Sequence, residues 1–379
     1  MSETSDVLIV GGGAIGLSCA LELAKAGSGV TLLERGKPGQ EASWAGAGIV
    51  PPGNPNRVTE PIDRLRAESA VRFPQFAEEL RDLTGIDTGF RRCGAFYYDH
   101  PDEPVPLAEW QAEGIKYERC DAAQVHQREP GVVGSPGCFV PDVAQVRNPR
   151  LIKALIAACV KKGVKIVSGK EVVGWDVEGK RIIAAHTTQE SYPAGEFLVC
   201  GGSWTDQLLA RFGCKLNIKP MRGQIVLYRL NEPALKYIHH AGPEYLVPRD
   251  DGYVLVGSTL EDVGFDAKPT VEAVNSLCRF AVTFAPPLAE AVVEKFWAGL
   301  RPSSPDGKPF LGRVPGTQNL SVAAGHFRWG IAGAPVTGRL LAELLTGQEP
   351  FMPLEPFSPA RDTSSPRSDA GGVGVESPP

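Results

Sequence analysis

The sequence predicts an α/β protein, α+β overall, in which a parallel doubly wound half alternates along the chain with a mainly antiparallel half. Three observations predict it. The opening run Val7-Leu8-Ile9-Val10-Gly11-Gly12-Gly13-Ala14-Ile15-Gly16 is an apolar strand feeding a glycine turn that opens a small-residue helix over 17–26. A strand signal followed by helical pattern returns at 197–212 and again at 319–346. Between these, residues 224–258 read as short β runs, with Asp251-Gly252 between apolar segments as the sharpest hairpin signal.

Each element follows from local chemistry. Gly11 permits the tight turn, Gly13 lets the backbone approach a pyrophosphate, and Gly16 lets the helix lie close to the strand. The free amides and positive end of that helix then face phosphates. A second strand over 30–33 ends in Glu34, placed to accept from the ribose of a dinucleotide. The acid, with no adjacent site made for a 2′-phosphate, favours FAD or NAD over NADP. Residues 40–55 are small, so their backbone can press against a flat ligand. Residues 60–84 read as a helix through Leu65, Phe73, Phe76, Leu80 and Leu83, and Pro74 predicts a kink or break in it. A strand is expected over 94–99, then a Pro- and Gly-rich irregular stretch over 100–146. Asn148-Pro149 reads as an N-cap followed by Pro, opening a helix that runs to Lys162 and stops at Gly163. A strand over 164–167 and a strand pair around Glu178-Gly179-Lys180 come next. Ser203 is expected to cap a helix through Phe212. Thr270 caps a helix over 271–284, closed by Pro286-Pro287. The last strand and helix lie at 319–324 and 337–346. From Pro353 onward Pro, Ser and Gly dominate, which predicts disorder.

At 379 residues the chain is long enough for two domains. A hydrophobic content of 42% with 22% charged residues is that of a globular protein, and a net charge of −5 gives no reason to expect nucleic acid or an anionic membrane. The apolar stretch over 7–23 holds the glycine fingerprint and Glu22 and follows no basic region, so it reads as neither signal nor membrane span; a cytoplasmic protein is expected. The eight cysteines form no CxxC pair and share no ligand spacing with the six histidines, so no metal site is expected. Cys200 could lie near a cofactor, with packing the favoured role. His239-His240 and Asp250-Asp251 read as solvated surface.

Several motifs occur in order over residues 5–350: Gly11 to Gly16 with Glu34, Ser43 to Gly48, Leu198-Val199-Cys200-Gly201-Gly202-Ser203-Trp204, Pro220-Met221-Arg222-Gly223-Gln224, Tyr245-Leu246-Val247-Pro248-Arg249, Trp297-Ala298-Gly299-Leu300-Arg301-Pro302 and Ala324-Gly325-His326-Phe327-Arg328-Trp329-Gly330. In these the chain resembles the D-amino-acid oxidase superfamily of flavoproteins, and within it the glycine oxidases of bacterial thiamine biosynthesis. The resemblance implies a Rossmann-like FAD-binding domain, discontinuous over 1–88, 147–220 and 297–350. It also implies an inserted, mainly antiparallel substrate domain over 89–146 and 221–296, with 351–379 as a disordered tail.

It further implies which residues act. Arg301 is the expected partner of a substrate carboxylate, for which a planar guanidinium is best suited, and Tyr245 helps hold that carboxylate. Arg328 is a second arginine at the active site, or else the partner of a salt bridge over its turn. Expected cofactor contacts are Gly11, Gly13, Ala14, Ile15, Gly16, Glu34, Arg35, Ser43, Ala45, Gly46, Ala47, Gly48, Gly201, Trp204, Arg328, Trp329, Gly330 and Ile331. Val173 is expected to meet the adenine through its backbone, although a plain strand role fits the sequence equally. Ile49, Thr259 and Trp329 are expected to wall the substrate pocket, Trp329 standing where a smaller polar residue is usual. Ser303 and Ser304 lie near where sarcosine oxidases carry a flavin-linking cysteine. No cysteine follows Cys278, so non-covalent FAD is expected.

The implied activity is oxidation of glycine, sarcosine or D-amino acids by hydride transfer to flavin, with oxygen reduced to peroxide and a role in thiazole formation. No nucleic-acid or membrane partner is expected, and a homo-oligomer, a tetramer by resemblance, is. Two rivals stand beside this reading: a dehydrogenase passing electrons to a quinone or carrier, and a flavin-binding subunit without turnover.

Overall fold

The structure, a computed structural model, describes residues 5–363. Its first sheet holds five parallel strands in the spatial order Lys165–Ser168, Val30–Glu34, Ser5–Val10, Ser191–Val199, Leu320–Ala324. Along the chain these are the third, second, first, fourth and fifth. The order therefore reverses between Ser5–Val10 and Ser191–Val199, and a crevice opens beyond their carboxyl ends. The register pairs Val10 with Val199. Gly11 and Cys200-Gly201 thereby leave the sheet side by side. Two antiparallel strands, Gly174–Glu178 and Arg181–His186, extend the sheet from Ser191–Val199, and Phe310–Arg313 borders Leu320–Ala324.

The central strands carry apolar runs, Val7-Leu8-Ile9-Val10, Leu32-Leu33 and Phe197-Leu198-Val199, because both faces are covered. Ile9, Leu32 and Leu198 share one core with the helices Ala14–Lys25, Pro61–Thr84, Asn148–Lys161 and Ala334–Leu345. Leu8, Leu33, Phe197 and Val199 share the other with Trp175, Leu209 and Phe310. The helices Ala14–Lys25 and Ala334–Leu345 cross closely: a Cβ at Gly338 would lie 2.8 Å from the Ser18 backbone.

The second sheet has nine strands, antiparallel except where Ile238–Ala241 runs beside Ala95–Tyr98. Its longest pair is Lys219–Arg229 with Val292–Ser303, which sets Met221 opposite Arg301 and Gly223 opposite Gly299. Helix Val271–Phe284 covers it, burying Leu277 and Ala281 against Val226, Val254 and Val256. Thr270 caps this helix, its hydroxyl accepting from the Ala273 N–H at 3.3 Å. A small third sheet joins Ile49–Val50, Ala144–Gln145 and Arg91–Arg92. Among the described residues no helix is long and apolar enough to cross a membrane.

Several expectations give way to tertiary packing. Pro74 does not break its helix, which runs on as Pro61–Thr84. Burial of Phe73, Phe76 and Leu80 on either side offsets the roughly 3 kcal/mol that an internal proline costs. Asn148 is not a cap; it is the first helical residue, and its Nδ2 donates to the Ser43 carbonyl at 2.9 Å. Ser203 does not cap a long helix. Its hydroxyl donates to the Leu300 carbonyl, and the segment folds as the short helix Thr205–Leu209 between two 3₁₀ turns.

The stretch over 100–146 is not irregular. It folds the helices Leu107–Glu113 and Ala122–Arg128 and the strands Glu118–Cys120 and Gly137–Val140, with Asp121 and Gln124 forming a capping box. His239 is fully buried, not solvated, with its ring stacked on Phe96 and Tyr98 Oη 3.0 Å from Nδ1; His240 stacks on Tyr97. Asp250 and Asp251 are exposed, paired with Arg91 and Arg147. The expected tail is ordered through 363. Met352 and Phe357 are buried, and Arg361 forms a two-pronged pair with Asp306 at 2.8 Å. The remainder of the expected disorder, 364–379, lies outside the described residues.

Candidate active site

A cavity of about 720 Å³ fills the crevice at the carboxyl ends of the parallel strands and runs toward the long strand pair of the second sheet. That volume suits a ligand larger than a metabolite. Its floor is the glycine turn. Gly11 has φ +113°, and a Cβ there would meet the Cys200 carbonyl oxygen at 2.3 Å. Gly16 serves packing instead of lining, since its Cβ would sit 2.0 Å from the Gly11 oxygen. Gly13, Ala14 and Ile15 line the cavity at the first turn of helix Ala14–Lys25, whose leading amides have no helical partner. Ser43 Oγ accepts from the Ala14 N–H at 2.9 Å.

Glu34 ends its strand at the cavity wall. Its carboxylate is fixed by two backbone amides, Gly12 N–H and Gly36 N–H, each at 2.8 Å. Arg35 lies 3.7 Å over the Trp204 ring and donates to Glu41 at 2.9 Å, so Arg35 and Trp204 make one stacked wall beside Gly201. Val173 is exposed at the far end, and its N–H is taken by the His186 carbonyl. Lys170, Trp175, Gln207, Leu208 and Arg211 also line this end. Periodicity did not mark them, because they come from the antiparallel extension, the link that leads into it and the short helical turns after Gly202.

Ser43 and Gly46 line the cavity, whereas Ala45, Ala47 and Gly48 stand behind it. The Ala45 carbonyl accepts from Trp297 Nε1 at 3.0 Å and that of Ala47 from Arg249 Nη2 at 2.7 Å. Gly48, at φ +76°, abuts Val146, whose carbonyl oxygen would be 2.1 Å from an added Cβ. The buried Arg249 also donates to the Val146 carbonyl and to Gln145, so three neutral acceptors hold it.

At the other end Arg301 reaches the cavity from the strand opposite Met221. Nη1 donates to the Thr259 carbonyl at 3.0 Å and Nη2 to Ser258 Oγ at 2.6 Å. Its guanidinium lies directly over Gly223. Among the described residues no carboxylate stands within ion-pair distance of it. Burial pulls its pKa below the ordinary value, with Tyr245 opposing and Arg328 adding to the fall. Tyr245 lies over Gly257 and packs with Ile49 on the cluster of Ala47, Ile225, Val247 and Leu255. Thr259 turns its hydroxyl away, donating to Glu261 at 2.5 Å and accepting from the Gln224 N–H. Thr259 thus meets Arg301 through its carbonyl and does not wall the cavity.

Gly325, His326, Phe327, Arg328, Gly330 and Ile331 close the remaining side, ahead of helix Ala334–Leu345. His326 bonds Thr337 through Nε2, and burial lowers its pKa to about 3, so the ring is neutral. Arg328 donates to Glu103 at 2.7 Å while still facing the cavity. Trp329 does not line the cavity, contrary to its expected place. Its ring lies 4.3 Å under the Arg66 guanidinium, in a small separate recess beside Ile62, Leu65 and Pro309. Among the described residues no cluster could hold a metal ion.

A crevice at the switch point, a glycine turn with no room for a Cβ at Gly11, a helix start and a pinned acid at the next strand end make a dinucleotide cradle. The family model described as FAD dependent oxidoreductase matches residues 6–344. The chain belongs to that family. FAD is therefore its cofactor, and the cradle fits the group: an added Cβ at Gly13 would meet Ser43 Oγ alone, at 3.2 Å, leaving the turn open to the cavity.

The chain is 38% identical to a glycine oxidase of Pseudomonas aeruginosa, over 95% of this chain and 99% of that one. It is 33% identical to the bifunctional protein ThiO/ThiG of Trichormus variabilis, over 91% of this chain and 53% of that one. Among solved structures, glycine oxidase from Geobacillus kaustophilus superposes with a TM-score of 0.89 at 31% identity, covering 95% and 99% of the two chains. An iminodiacetate oxidase from Chelativorans superposes at 0.83 and 27% identity, covering 93% and 98%.

Proposed function

We propose that this FAD-dependent oxidoreductase is an amino-acid oxidase acting on glycine and small amines such as sarcosine and D-amino acids. It forms an imine that water converts to the oxo acid. The observation that carries the reading is Arg301, a part-buried guanidinium at the cavity wall, fixed by two neutral acceptors and lacking a carboxylate. Such a cation gains strongly from an anion in reach, and a planar fork is made for a carboxylate. The glycine oxidase relatives support the choice of substrate.

FAD held in this cradle would supply a two-electron acceptor for the hydride of the substrate α-carbon, with oxygen as the terminal acceptor giving hydrogen peroxide. The chain's own residues position and shield. Gly11 to Ile15 would hold the pyrophosphate at the helix start, and Glu34 would accept from the ribose. Trp204 with Arg35, and the backbone near Val173, would enclose the adenine end. Gly46 and the Gly330-Ile331 segment would flank the ring system. Strand Val292–Ser303 carries no cysteine for a flavin link, which supports a cofactor held without a covalent bond. Arg301, assisted by Tyr245, fixes the substrate carboxylate, which sets the α-carbon toward the ring. The neutral His326 adds no charge to that wall. The resemblance implies that in the cell the imine from glycine would enter thiazole formation and that the chain would assemble as a homotetramer.

Oxygen uptake with peroxide detection, run with glycine, sarcosine, D-alanine and D-proline, tests the proposal. Peroxide formed in step with oxygen consumed is expected. Brisk dye reduction without oxygen uptake would replace the oxidase with a dehydrogenase.

A further inference from the structure

Two arginines line the substrate end of the cavity, and they are in different states. Among the described residues Arg301 has no carboxylate partner, whereas Arg328 Nη1 donates to Glu103 Oε1 at 2.7 Å. Glu103 comes from far away in sequence, in the link between strand Ala95–Tyr98 and helix Leu107–Glu113. That link is seated on the second sheet: a Cβ at Gly242 would lie 2.4 Å from the His100 ring. Its own neighbours are acidic. Glu244, beside Tyr245, has its pKa raised first by burial and then by Glu103 and Asp102, the His100 ring opposing. Both members of the pair are felt at Arg301, where Arg328 pushes the pKa down and Glu103 pushes it up.

We propose that Glu103 limits the substrate to one carboxylate: by occupying Arg328 it leaves Arg301 to bind the α-carboxylate and sets a negative charge where a second carboxylate would lie. The inference rests on the amino-acid oxidase reading above and names the substrate class within it. Glycine, sarcosine and neutral D-amino acids satisfy the site. Iminodiacetate or a D-dicarboxylic amino acid must displace Glu103 from Arg328 or sit against it. The side chains of Arg328 and Glu103 are 40% and 28% exposed, so the pair is weak in itself. Its effect is on choice: the pair neutralises an attraction and keeps a repulsion, and both act against the second carboxylate.

Two ethers that differ by one carboxylate and cannot be dehydrogenated as amines test this. Methoxyacetate mimics sarcosine, and diglycolate mimics iminodiacetate. Each is titrated into the FAD-loaded protein and followed by the change in flavin absorbance, for wild type, Glu103→Gln, Glu103→Ser and the double variant Glu103→Gln with Arg328→Gln. The expected result is that Glu103→Gln tightens diglycolate about tenfold relative to methoxyacetate, because Arg328 is freed to donate to the second carboxylate and the like-charge repulsion from Glu103 is removed. Glu103→Ser should do the same, and the double variant should keep only the smaller part that comes from removing the repulsion. An unchanged ratio of the two dissociation constants, or a gain that survives undiminished when Arg328 is lost, overturns the proposal. Because the readout is binding, it stands apart from turnover. A wild type that oxidises no amine refutes the oxidase reading, while an unchanged ratio in a protein that oxidises glycine refutes the role of Glu103 alone.

Discussion

Replacing Gly223 by Ala separates stability from function at the substrate anchor. Gly223 lies in the extended strand Lys219–Arg229 opposite Gly299, and no left-handed backbone is required of it. An added Cβ would fall 2.1 Å from Arg301 Nη1 and 2.3 Å from Cζ and Nη2. Ordinary contact needs about 3.5–4 Å, so the guanidinium must retreat by more than about 1 Å. That retreat breaks the bonds to Ser258 Oγ and the Thr259 carbonyl, at 2.6 and 3.0 Å. Because what moves is the end of a flexible side chain, the fold loses little, and alanine in a strand restores about 0.4–1 kcal/mol through the unfolded chain. Misplacement of an anchor by about 1 Å costs on the order of 100-fold in kcat/KM. The assay is kcat/KM for glycine beside a thermal melt and the flavin-to-protein ratio. The expected result is a large loss of kcat/KM with melting temperature and flavin content nearly unchanged. Activity within a few-fold of wild type would refute the placement of Arg301, and loss of flavin together with activity would refute the separation of roles.

Gly16→Ala should destabilise, because its Cβ would lie 2.0 Å from the backbone oxygen of Gly11, and overpacking of this kind costs roughly 1–3 kcal/mol; a lower melting temperature with depleted flavin is expected. Arg361→Ala strands the buried carboxylate of Asp306 and removes a guanidinium lying 3.8 Å over Phe310, for a loss of about 3–5 kcal/mol by denaturant unfolding. Burial holds His240 and His326 at about 3, below the ordinary value near 6.5, so the unfolded chain takes up protons first. Stability is then full above pH 6.5 and falls toward pH 3, by up to about 1.4 kcal/mol per pH unit for each ring. His240→Phe keeps the stack on Tyr97, removes a buried Nε2 without a partner, and should flatten the acid slope of the melting temperature between pH 6.5 and 5.

The parallel half was legible because its signals are local. A glycine at φ +113°, a helix start and an acid at a strand end all lie within the first 34 residues. Legibility failed where distant packing overrides a local preference. Pro74 is held in an unbroken helix by the phenylalanines around it, and Ser203 spends its hydroxyl on Leu300. His239 reads as polar surface yet lies between Phe96 and Tyr98, on strands that meet only in the folded sheet. At the site, motif order placed Arg301 and Glu34 at the cavity. It could not foresee that Trp329 turns toward Arg66, that Thr259 turns its hydroxyl to Glu261, or that Arg328 is held by Glu103. Arg66 and Glu103 lie hundreds of residues from their partners, and the turn that aims Thr259 at Glu261 is set by the neighbouring strand.

The most direct test is anaerobic mixing of the FAD-loaded protein with glycine, sarcosine, D-alanine and D-proline, in wild type and in Arg301→Met, with the flavin absorbance as readout. Rapid bleaching of the wild type by at least glycine or sarcosine is the expected result. In the variant, which keeps its flavin, bleaching should be slower by on the order of 100-fold at the same concentration. A wild type that stays yellow with all four, or a variant that bleaches as fast as the wild type, would contradict the assignment of Arg301 as the substrate anchor of an amino-acid oxidase.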